Sequence, residues 1–82
     1  MGEILAVDVP DAERGFMLVL QLRHGASLQR DGDGQLCVHL EHPLNGYQLA
    51  EVLARIERWL RLEGVPRTRL RIGDNTYQLI AS

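Results

Sequence analysis

Between Asn45 and Gly64, Leu49, Val52, Leu53, Ile56 and Leu60 recur at spacings of three and four. On a helical wheel these positions fall within about 100° of one another, which predicts a helix over roughly 46–63 with one apolar stripe. Asn45 after Pro43 suits the N-cap, and Glu51 with Arg55 and Glu57 with Arg61 stand at the favourable i,i+4 spacing. The stop is as legible. Gly64 suits a left-handed C′ position, Val65 then touches Leu60, and Pro66 prevents continuation.

The pattern then changes period. Thr68 to Ile72 and Thr76 to Ala81 alternate around Gly73, Asp74 and Asn75, which predicts a β-hairpin. A two-residue loop at Asp74 and Asn75 would pair Ile72 with Tyr77 and Leu70 with Leu79, placing all four on one face. Arg67, Arg69 and Arg71 then occupy the opposite face, pointing away from the helix.

Turn chemistry divides the amino-terminal half. Glu3 to Val9 reads as a strand ended by Pro10 and the loop "DAERG". Phe16 to Arg23 is apolar on both faces and reads as a central strand, with a short buried helix as the alternative. "HGAS" turns the chain, Leu28 to Arg30 continues the pairing, and "DGDG" leads into a strand from Gln35 to Glu41. The sum is an α+β domain: a mainly antiparallel sheet of four to six strands, one long amphipathic helix on one face, and a C-terminal β-hairpin. Hairpin, helix and later strands in that order are similar to the small β-grasp architecture. The chain ends Leu79-Ile80-Ala81-Ser82 without its terminal Gly-Gly, and no motif carries a family assignment.

This arrangement leaves apolar surface unaccounted for. The outer sheet face would carry Met17 and Val19 beside the arginines, Trp59 sits at the border of the helix stripe, and Leu62 lies near the middle of its polar side. These seven residues, Arg67, Arg69, Arg71, Trp59, Leu62, Met17 and Val19, are the candidate interface.

Composition narrows the function. With 82 residues the chain forms one small domain with a thin core, and no run approaches the ~20 apolar residues of a membrane span. Cys37 is the single cysteine, which suits a reducing, cytoplasmic compartment and leaves no intrachain disulfide. All nine cations are arginine, as in a GC-rich bacterial genome, so lysine chemistry is absent. Residues 1–41 hold three Arg against seven acids and residues 42–82 six against four, so the halves are complementary.

The chemical candidates are weak. "DGDG" begins like a calcium loop, but Leu36 falls where Gly is needed and His42 where a bidentate Glu belongs. It reads as a turn. Cys37, His39 and Glu41 share a strand face, yet same-face neighbours stand roughly 7 Å apart at Cβ, which is poor for proton transfer. His24 near Ser27 lacks an orienting group, and two Ser and two Thr leave few hydroxyl nucleophiles. Neither an enzyme nor a cofactor or metal site is expected, unless a site forms between subunits. A pI near 5.8 and few aromatics argue against nucleic acid, although an arginine-lined sheet face keeps that alternative open. The expectation is a non-enzymatic protein-interaction module, self-associating as a homodimer or serving as an accessory subunit.

Overall fold

A computed structural model of the chain describes residues 4–22, 25–40 and 46–81. The elements run β1 (Leu5–Asp8), α1 (Ala12–Leu22), β2 (Ala26–Arg30), β3 (Leu36–Leu40), α2 (Gly46–Leu62), β4 (Arg67–Ile72) and β5 (Asn75–Ile80). All five strands join one antiparallel sheet in the order β2-β3-β1-β4-β5. The fold is α+β, and the longer helix, α2, packs on the sheet. Through β4 the chain follows a split β-α-β pattern twice, with β3 between β1 and β2, and β5 extends it by one strand. A helix between the first two strands departs from the β-grasp order.

Register sorts the sheet into two faces. Leu5 lies between Leu40 and Ile72, and Val7 between Val38 and Leu70, so the central strand gives both side chains to the apolar face. There they meet Leu18 and Leu22 of α1 and Val52, Ile56, Trp59 and Leu60 of α2 in a single buried cluster. The opposite face carries Ala6, Asp8, Cys37, His39 and the arginines of β4.

The expected strand over Phe16 to Arg23 is instead α1. Its start is local: the Asp11 carboxylate accepts the Arg14 amide at 2.8 Å, and the Asp11 carbonyl accepts the Gly15 amide at 3.0 Å. Asp11 is therefore an N-cap following Pro10. Gly15, Leu18 and Leu22 then fall at helical spacing and are buried. Gly15 is required by contact, since a Cβ there would lie 2.7 Å from Leu28 Cδ1 and 2.9 Å from Val9 Cγ2.

Helix α2 ends as anticipated. Gly64 adopts φ 65°, and the Val65 amide reaches back to the Leu60 carbonyl at 2.9 Å, leaving Val65 buried. Its packing differs in detail, because Leu49 and Leu53 are only partly buried while Trp59 is fully so. Asn45 lies outside the described residues. The β4–β5 hairpin forms with Gly73–Asp74 as the loop, so Ile72 faces Asn75, Leu70 faces Tyr77 and Thr68 faces Leu79. The expected loop was one residue later. Gly73 takes φ 59°, and a tight hairpin wants positive φ at its first loop position. The register shifts by an even number, so each residue keeps its expected face.

Candidate interaction site

The arginines of β4 do lie on the sheet face away from the helices, and their first partner is Asp8 of the adjoining strand. Arg69 Nε stands 2.8 Å from Asp8 Oδ2, and Arg71 Nη2 stands 3.3 Å from Asp8 Oδ1 and 3.6 Å from Asp31 Oδ2. Arg71 reaches that far because Ala6, directly opposite it on β1, has almost no side chain to obstruct it. Its Nε is buried without a hydrogen-bond partner. Arg67 is exposed and makes no ion pair among the described residues.

Asp31 belongs to the "DGDG" turn. Its Oδ1 accepts the amides of Asp33 and Gln35 at 2.9 and 3.0 Å, and Gly34 closes the turn at φ 83°. Burial pushes the Asp31 carboxyl up, but these two amides and the charges of Arg71 and Arg69 outweigh it and hold it below the usual carboxylate value. The segment is a hairpin turn whose side chain doubles as an anchor for Arg71.

Beneath the arginines, Cys37 Sγ lies 3.1 Å from His39 Nε2. The expectation that these groups stand too far apart is corrected: the backbone spacing is ordinary, and the two side chains lean together. Cys37 is fully buried, and burial pushes its thiol above the ordinary value, with Asp31 and Asp8 adding to the rise and Arg71 opposing it. A buried, protonated thiol is a poor nucleophile. Glu41 and His42 lie outside the described residues, as does His24; Ser27 Oγ takes a hydrogen bond from Gln29 Nε2 at 2.8 Å.

The apolar candidates are redistributed. Trp59 belongs to the core at 1% exposure, because its indole N–H finds the Arg14 carbonyl at 2.9 Å and its ring fills the gap between the helices. Met17 and Val19 sit on α1 rather than on the outer sheet face; Val19 packs partly into the core and Met17 is exposed. Leu62 is exposed on α2. The structure adds residues that strand periodicity concealed. Phe16 and Leu20, one helical turn apart beside Met17, are 58% and 51% exposed. On β5, Tyr77 and Ile80 are 50% and 68% exposed: Tyr77 is on the helix face but beyond the cover of α2, whereas Ile80 lies opposite Arg67 on the outer face.

No protein-family model, curated protein or solved structure matches the chain. Among the described residues, no helix is long and apolar enough to cross a membrane.

Proposed function

We propose that this chain is a small interaction module that works by association. It joins itself as a two-fold dimer or serves as an accessory subunit of a larger assembly, and has no chemistry of its own. The reading rests on one observation, the large apolar side chains left exposed on a small fold: Phe16, Met17 and Leu20 on α1, Tyr47 and Leu62 on α2, Tyr77 and Ile80 on β5. Exposed apolar side chains in this number on a small fold mark where other molecules dock. A lone cysteine suits a reducing compartment such as the cytoplasm, and the full burial of its thiol argues against cysteine catalysis.

The arginine face favours protein contact over nucleic acid. Arg69 and Arg71 are committed to Asp8 and Asp31, and the exposed aromatic of β5, Tyr77, lies on the other face of the sheet. Sedimentation equilibrium from about 10 to 300 μM, spanning weak dimer affinities, tests the reading. The expected result is a mass rising from 9.3 kDa towards twice that value. A 9.3 kDa monomer throughout, together with binding of labelled single strands that weakens steeply between about 50 and 200 mM salt, would replace it with the nucleic-acid reading.

A further inference from the structure

We infer that the free edge of β5 pairs antiparallel with β5 of a second copy, about a two-fold axis at Gln78. This rests on the association proposed above and names the contact.

The backbone fixes which groups are free. The Ala81 amide donates to the Pro66 carbonyl at 2.9 Å, and Ile72 faces Asn75 across the two-residue loop. Hydrogen-bonded positions alternate along an antiparallel ladder, so odd-numbered residues of β5 turn their N–H and C=O towards β4. Thr76, Gln78 and Ile80 turn theirs outward.

Such an edge is a template for another strand unless it is blunted. β5 (Asn75–Ile80) carries no charge and no proline along its six residues, and places Tyr77 and Ile80 half or more exposed. The other edge, β2, is shorter at five residues and ends in Arg30, whose guanidinium turns onto the Gly34 carbonyl at 3.0 Å. The open edge is therefore β5.

Self-pairing follows from symmetry and charge. A two-fold axis normal to the sheet keeps each face on its own side, so only residues of equal parity oppose one another. Centred on Gln78, the register sets Gln78 against its own copy, Thr76 against Ile80 of the second copy, and Tyr77 against Leu79. All three outward residues of each strand then enter hydrogen-bonded pairs, and Tyr77 gains an aliphatic partner at a close, non-hydrogen-bonded position. Centring on Tyr77 instead would leave Ile80 facing the turn. An uncharged strand opposes itself without like-charge contact. The arginines that line up across the seam, Arg67 with Arg71 of the second copy and Arg69 with Arg69, have backbones three strand spacings or roughly 14 Å apart, beyond the screening length of about 8 Å at physiological salt. The product is a continuous ten-stranded sheet, twice the five strands of one chain.

Sedimentation equilibrium on four variants tests the seam, with far-UV circular dichroism and the unfolding midpoint checking each fold. Gln78→Pro removes the outward N–H at the axis while leaving the β4–β5 ladder its bonds; it should weaken dimerisation by about tenfold to a hundredfold. Thr76→Lys and Ile80→Glu should each weaken it as well, by placing a charge at the seam. In the double variant Thr76→Lys/Ile80→Glu, each Lys faces a Glu of the other copy, and the dimer should return. A dimer indifferent to Gln78→Pro and to both single charges would overturn the β5 seam while leaving self-association standing. Failure of the double variant to recover would overturn the register, and a wild-type monomer at ~300 μM would overturn the seam and self-association, leaving the accessory-subunit reading.

Discussion

Asp8 is the residue on which the outer face turns. It receives both Arg69 and Arg71 while its own side chain is only 14% exposed, whereas Arg69 is 52% exposed. The two ends of the pair therefore differ in consequence. Arg69→Gln should change stability by about 0 to 1 kcal/mol, as for a surface pair. Asp8→Ala leaves the half-buried Arg71, with its unpartnered Nε, only the longer contact to Asp31, and should cost about 1 to 3 kcal/mol in urea unfolding. Two neighbouring groups give pH limits of opposite sign. Asp31 is held below its usual value, so its contribution is present above the unfolded pKa of about 3.9 and lost as pH falls through the lower folded value. Cys37 is raised, so its contribution is present below the unfolded thiol pKa and lost as pH climbs through the higher folded value. Asp31→Asn should flatten the acid limb of a stability profile and Cys37→Ala the alkaline limb; profiles unchanged by both would contradict the assignment. The alternation of Arg67, Arg69 and Arg71 was readable from the sequence, as was the face they occupy. Their partner was not, because Asp8 lies 61 positions from Arg69 and strand order brings them together.

Helix α2 and the β4–β5 hairpin were legible because each carries its own punctuation. Gly64 and Pro66 stop the helix, and Gly73 with Asp74 turns the hairpin, all through local backbone preferences. Helix α1 was not, for two physical reasons. Its outward side mixes Phe16, Met17 and Leu20 with Glu13, Arg14 and Gln21, so the polar half of the helical period is interrupted, and residues 16–20 form an unbroken apolar run. Gly15 near its start also resembles a loop residue, while its actual role is to let the helix approach β2 and Val9. Gly15→Ala measures that role: helix propensity alone would stabilise the protein by about 1 kcal/mol, but the added Cβ meets Leu28 and Val9 and should lower stability by about 1 kcal/mol instead. On α2, Ile56→Ala should cost about 2 to 4 kcal/mol from its fully buried position, and the partly buried Leu53→Ala visibly less. Equal losses at the two sites would place α2 differently on the sheet. Trp59, assigned to the stripe border by wheel geometry, was drawn inward by a helix that the strand reading lacked.

At the scale of the whole molecule, one sheet has its apolar face closed by two helices and its polar face tied by Asp8 and Asp31, while one edge stays open. The core uses Leu, Ile, Val and a single Trp, and the large apolar side chains left exposed lie on α1, α2 and β5, with Ile4 before β1. Association through β5 follows from its open, uncharged edge, and amide hydrogen exchange across a range of protein concentrations reads it most directly. The amides of Tyr77 and Leu79, bonded to β4, and of Ala81, bonded to the Pro66 carbonyl just before it, should be protected at every concentration. Those of Thr76, Gln78 and Ile80 should exchange freely when dilute and become protected as concentration rises through the dimer range. Free exchange of these three amides at all concentrations, beside protected odd-numbered neighbours, would contradict the account.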